Sequence, residues 1–435
     1  MKRGEKINSF FIDSSPLRYA DNGRRIPIFD SLSHHDPDPI NPTLDAQKKC
    51  HRQTLTKLLL DLGATYTWVN CDDYTSSTYR HVPCNSSVAY LLGAYACLDF
   101  CDLPNCGNNS FILFPDNPIK PVDYKKVNGV NIAIIDSFAL SSTTQGSHAL
   151  INGFIFSCAR TGFLKGLAKG VSGLASLGRS NVSIPVQLNK LYTSYPNCFA
   201  ICLSGSKSQP GVAHFGSRGP YNFLPGIDLS KSFLYTPLIS NPFGKDSDPD
   251  KPRASPDYYI GLSSIKVNGK MLALNKSLLA IDGETGSGGT KISTVVPYTK
   301  LQSSIYKTFI TAFLKEAASS AFNLTTTKPV KPFRACYPAS AVKSTQTGPA
   351  VPIIDLVLDR QEVKSVDLWC LGFVDGGVNP MVSSWIRGPS VVIGGHQLED
   401  NMLQFDLQSK KLGFSSSILS RGTNCASFIF STKHV

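Results

Sequence analysis

Two stretches of this chain place residues with acid–base potential at a turn between apolar strands. In the first, the apolar run Lys57 to Leu60 halts at Asp61, Leu62, Gly63 and Ala64, then resumes as a strand through Trp68 to Asn70. In the second half of the chain, Gly288 to Leu301 repeats the plan, with Ser293 at the position that answers to Asp61. Two carboxylates held about 3 Å apart can share one proton, so that one activates water while the other protonates a carbonyl oxygen. One carboxylate cannot do both. Hydroxyls beside such carboxylates brace them by hydrogen bonding, and Leu62 and Ala64 carry none. An Asp in a turn is ordinary on its own; the flanking strands and the second loop set Asp61 apart. Asp282 to Gly286 (Asp-Gly-Glu-Thr-Gly) mimics a displaced catalytic triplet, but it reads as a Gly-rich hairpin ahead of the second loop.

Strand, Asp-Thr-Gly-Ser, strand is how pepsin-like aspartic proteases present each catalytic carboxylate, and the two loops resemble that arrangement with Asp61 kept and Ser293 substituted. Further stretches resemble the catalytically silent plant branch of the family: Phe154 to Cys158, Gly289 to Val295, Pro352 to Leu358, Val391 to Asp406 and Lys411 to Phe414. That branch comprises xylanase inhibitors of the wheat type, extracellular dermal glycoprotein and basic 7S globulins. The resemblance covers roughly residues 57 to 435. It implies an all-β, two-lobed pepsin-like β-barrel architecture with a few short helices, and no aspartic peptidase activity.

Composition agrees with such a fold. Of 435 residues 42% are hydrophobic and 17% charged, and 34 Gly with 28 Pro predict many short strands and turns. We expect an atypical N-terminal segment over 1–52, disordered or the product of a wrongly assigned gene start, a first lobe over 53–240, a polar Pro-rich join at 241–256 and a second lobe over 257–435. Ser176, in a strand expected to pack behind the first loop, replaces a Gly usual in the family and should crowd that loop; residues 392–394 are its counterpart in the second lobe. The clearest helix runs from Gln302 to Ala317, where Ile305, Phe309, Phe313 and Ala317 recur at four-residue spacing.

Twelve cysteines point to an oxidising compartment. Cys97, Cys101 and Cys106 are spaced as zinc thiolates could be, but no His pair follows, and no metal or other cofactor is expected. The resemblance implies Cys71–Cys158, Cys202–Cys425 and Cys336–Cys370 bridges; Ala89 and Phe111 stand where the family has cysteines, and Cys50 and Cys198 are extra. Sequons at Asn85, Asn108, Asn181, Asn275 and Asn323 fit secretion. Met1 to Asp13 has too short an apolar run for a signal peptide, so the expectation of an extracellular protein rests on family and cysteines. His34 and His35 fall in a Pro/Asp-rich stretch and read as an exposed pair rather than metal ligands.

The net charge of +12 calls for acidic partners, yet no Lys/Arg run or nucleic-acid motif is present, and no membrane span is expected. The resemblance implies inhibition of microbial plant-cell-wall-degrading glycoside hydrolases, whose clefts hold paired carboxylates that an Arg could enter. Arg387, with Trp385 beside it as an apolar anchor, is the first candidate, and Lys328, Lys331 and Arg334 follow. Alternatives are a 7S-globulin-like storage or peptide-binding protein, an endopeptidase with residual activity, and a copy without function; wall polysaccharide or a peptide is the other candidate partner.

Overall fold

Leu58, Leu59 and Leu60 are all fully buried, as a strand covered on both faces requires. In the computed structural model they belong to β3 (Arg52–Asp61), which follows β1 (Phe10–Tyr19) and β2 (Arg25–His35) and precedes β4 (Trp68–Asn70). The structure describes residues 10–19, 25–35, 52–72, 74, 76, 78–92, 96–98, 109–120, 122, 131–141, 148–206, 211–224, 227–245, 252–345, 348–358, 361–365, 371–378 and 388–428. Further strands of the first unit are β5 (Asn131–Ser141), β6 (His148–Ala159), β7 (Gly173–Ser176) and β8 (Gly211–Phe215).

β7 runs parallel to β3, with Ser176 opposite Asp61, and antiparallel to β4, with Leu174 opposite Trp68. One strand thus fits between the two arms of the first loop. The approach is so close that a Cβ on Gly173 would lie 2.1 Å from the Trp68 carbonyl oxygen, so only Gly serves there. β4 continues parallel to β6, and β5 and β6 pair antiparallel. Trp68 packs edge-on against Phe163 and donates its indole N–H to the Asp116 carbonyl at 2.9 Å.

The second unit repeats the plan. Among its strands are β9 (Tyr258–Ile260), β10 (Leu262–Val267), β11 (Thr290–Ile292), β12 (Thr299–Leu301), β13 (Ile354–Leu358), β14 (Gln361–Ser365), β15 (Phe373–Asp375), β16 (Val391–Ile393), β17 (Met402–Asp406) and β18 (Lys411–Phe414). β16 runs parallel to β11 and antiparallel to β12, as β7 does to β3 and β4. The helix α1 (Ser303–Ala317) begins where the Gln302 side chain accepts hydrogen bonds from the Ser304 and Ile305 amides. Ile305, Phe309, Phe313 and Ala317 are buried, and Phe309 packs on Phe373 with centroids 4.8 Å apart.

Three sequence expectations need correction. The segment 1–52 is not strandless: β2 pairs with β3 from Ile28–Leu59 to His35–Arg52, and β1 pairs with β2 and β8. Long-range backbone pairing overrides the polar, Pro-containing composition there; residues 36–51, Cys50 included, lie outside the described part. Residues 241–256 are not a join, because the units divide between Ser217 and Arg218, with Ala200–Gly205 belonging to the second. The described parts of the polar stretch, 241–245 and 252–256, belong instead to the second unit. They are tied by Gly244 N–H to Arg253 O (2.7 Å) and Ser255 N–H to Asn241 O (2.9 Å), and the Asn241 amide reaches the Gly286 carbonyl at 2.8 Å. The third correction concerns Ser176 and belongs to the loops.

Candidate functional site

Asp61 ends β3, is 6% exposed, and accepts a hydrogen bond from Gly63 N–H at 2.7 Å. Leu62, next to it, is fully buried in the core rather than offering a brace. Ser176 does not crowd this loop. Its Oγ donates to the Ala64 carbonyl at 2.6 Å, and its backbone N–H donates to Thr67 Oγ1 at 3.1 Å. Ser180 Oγ donates to the Thr65 carbonyl. The first loop is therefore held by two serines that bond its backbone carbonyls, and neither takes the place of a hydroxyl at position 62 or 64 on the carboxylate.

Ser293 follows β11, is 3% exposed, and its amide donates to the Ile393 carbonyl at 2.9 Å. Its Oγ accepts from Val296 N–H at 3.2 Å, so the hydroxyl closes the loop on itself. Thr299 Oγ1 accepts from Gly394 N–H at 3.2 Å and donates to Gln397 Oε1 at 2.6 Å. Thr67 and Thr299 each stand six residues after the loop residue and take a hydrogen bond from the residue facing it. This repeat is readable in the sequence once the loops are aligned, and sequence reading passed over it.

The structure separates other candidates. Asp282 caps its own turn, accepting from Glu284 N–H (3.0 Å), Thr285 N–H (2.8 Å) and Thr285 Oγ1 (2.8 Å), and these hydrogen bonds hold its exposed carboxyl below the usual range. Arg387 and Trp385 lie outside the described residues; the described chain resumes at Gly388, whose carbonyl accepts from Gly288 N–H at 3.2 Å. Lys328, Lys331 and Arg334 are exposed on a loop tied back by Thr327 N–H to Cys336 O (2.8 Å). Phe333 on that loop packs edge-on against Tyr298, centroids 4.7 Å apart, next to the second loop.

Cys71 is bonded to Cys158 and Cys202 to Cys425, each with Cα atoms 5.3 Å apart. Cys336 is also disulfide-bonded, while Cys370, its expected partner, lies outside the described residues. Cys84 pairs with Cys97, which removes Cys97 from any zinc set. Cys101 and Cys106 are outside the described part. Cys198 is a buried thiol 3.0 Å from the Ser217 carbonyl oxygen. Among the described residues no cluster of three or more His, Cys, Asp or Glu could hold a metal, and no helix is long and apolar enough to cross a membrane. Asn85, Asn181, Asn275 and Asn323 are exposed; Asn108 is outside the described residues.

Comparison with known proteins fits this geometry. Models of the xylanase inhibitor N-terminal and C-terminal regions match residues 50–217 and 257–416. A relative named "Probable aspartic proteinase GIP2", from Nicotiana benthamiana, is 43% identical over 392 residues, covering 86% of each chain. The crystal structure of edgp superposes with a TM-score of 0.83 at 38% identity, covering 98% of this chain and 99% of that one. That of basic 7S globulin from soybean gives 0.73 at 26%, covering 96% and 98%. The fold is the two-lobed one of pepsin-like aspartic proteinases. The chain belongs to the xylanase-inhibitor family of pepsin-like proteins.

Proposed function

We propose that this protein is a secreted, non-catalytic inhibitor of microbial glycoside hydrolases that attack plant cell walls, acting on xylanases or xyloglucan endoglucanases. The observation that carries the reading is the second loop. Ser293 stands where a partner carboxylate for Asp61 would be needed, and its hydroxyl accepts from Val296 N–H within its own loop. Without a second carboxylate no shared-proton pair forms, and what remains is a rigid scaffold bearing loops.

The charge supports an acidic target. The chain carries +12, and the exposed Lys328, Lys331 and Arg334 loop is fixed beside the second loop through Phe333 and Tyr298. A glycosidase cleft with two carboxylates complements such a surface, and Arg387 with Trp385 remains the proposed entering pair. Disulfides fit the extracellular space, as do four exposed sequons, which we propose are glycosylated.

The test is inhibition of a panel of xylanases and xyloglucan endoglucanases by the full chain, by Arg387→Ala and by a triple Lys328→Ala, Lys331→Ala, Arg334→Ala variant. Loss of a buried charge pair slows binding little and speeds release, costing about 2–5 kcal/mol, whereas a rim charge alters the association rate and its salt dependence. Inhibition unchanged by Arg387→Ala would remove that residue and keep the function. Absence of inhibition across the panel would overturn the proposal in favour of the globulin-like reading, to which the match with basic 7S globulin lends support.

A further inference from the structure

Beside the second loop the lobe carries a pocket partly open to solvent. A cavity of about 200 Å³ lies there, walled by Ile292 and Ile393, which directly precede Ser293 and Gly394, and by Phe313, Leu356, Phe373 and Leu403. A largely apolar pocket of this size is a place for a small guest; an engineered apolar cavity of about 150 Å³ takes benzene.

We propose that this cavity binds a small, neutral molecule built on one ring with a short substituent and a hydroxyl. The wall selects the ring, since most of its lining is aliphatic or aromatic side chain. The polar end selects neutrality. His396, Glu399 and Asp400 also line the cavity. Glu399 already pairs with His396 at 3.0 Å, and Asp400 accepts from Cys425 N–H at 2.9 Å while burial raises its carboxyl. Among the described residues no Lys or Arg lines the cavity to balance an anionic guest, which disfavours fatty acids and benzoates, while the carboxyls of Glu399 and Asp400 offer oxygens to a hydroxyl.

The experiment is calorimetric titration of the full, disulfide-bonded protein with p-cresol and with benzoate, alongside the cavity-filling variants Leu356→Phe and Leu403→Phe. We expect saturable one-to-one binding of p-cresol, with benzoate weaker by roughly tenfold or more and each variant weakening p-cresol by a similar factor. Xenon-pressurised crystals of the unaltered protein should show the gas between Ile292 and Phe313, and this readout stands even if the variants fail to fold. Absence of both p-cresol heat and xenon in the cavity would overturn the proposal, as would p-cresol binding that well-folded variants leave unchanged. Benzoate binding equal to that of p-cresol would overturn the neutral-guest assignment.

Discussion

The two loops share a frame and differ in what they hold. In each, a strand runs parallel to one arm and antiparallel to the other, and a threonine six residues past the loop residue accepts the amide hydrogen of the residue facing it. The first loop keeps Asp61 but leans on Ser176 Oγ, whereas the second has Ser293 and faces Gly394, where no side chain fits. The same hydrogen bonds frame both loops, one ending in Asp61 and the other in Ser293, so the frame holds the backbone whichever of the two side chains it carries.

Exchanging the facing residues gives the largest effect. A Cβ on Gly394 would lie 2.5 Å from the Tyr298 carbonyl carbon and 2.7 Å from its oxygen, so Gly394→Ser should destabilise the second lobe by about 3 kcal/mol or more. A thermal midpoint close to that of the unaltered protein would break the comparison. Removing the threonine hydroxyls comes next. Thr299→Val leaves the Gly394 amide without its partner and takes the Oγ1 bond from Gln397 Oε1, which keeps only the Thr299 amide, and should cost about 2–3 kcal/mol, against about 1–2 kcal/mol for Thr67→Val, which strands only the Ser176 amide. Denaturant midpoints of the two variants test the order, and equal losses would mean that the extra Gln397 bond contributes nothing.

Away from the loops, Arg218 donates to Asp406 at 2.7 and 3.2 Å. Burial pushes the Asp406 carboxyl up, but hydrogen bonds and charge from Arg218 and hydrogen bonds from Ser409 outweigh it, leaving the group below its ordinary value. A depressed carboxylate contributes stability above its unfolded pKa of about 3.9 and loses it as pH falls through the folded value. Arg218→Ala should therefore cost about 1–2 kcal/mol at pH 7 and less at pH 3, measured as unfolding midpoints at both pH values. Ser176→Ala should have the smallest effect, about 1 kcal/mol, since it deletes one neutral hydrogen bond to Ala64 O.

Much of this was legible from residue order. The Leu58–Leu60 run broken at Asp61, the second loop around Ser293 and the four-residue spacing of Ile305, Phe309, Phe313 and Ala317 are local patterns, and each formed the element expected. What was not legible depends on partners far along the chain. β1 and β2 contain Pro16 and Pro27, which argue against a strand, and they form by pairing with β3 and β8. The brace from Ser176 reaches across 112 residues to Ala64, which no local pattern reveals. The polar run at 241–256 has a linker's composition, and only its cross-loop hydrogen bonds show it to be pinned.

The central claim is that the chain keeps the scaffold of a protease without the reaction. Acid proteolysis of a denatured protein substrate tests it most directly, using the purified full chain beside its Asp61→Asn and Ser293→Asp variants. The account predicts no hydrolysis by the chain or by either variant, because Ser293 supplies no second carboxylate and Leu62 and Ala64 still lack the hydroxyls that flank one. Hydrolysis by the unaltered chain that disappears in Asp61→Asn would contradict it.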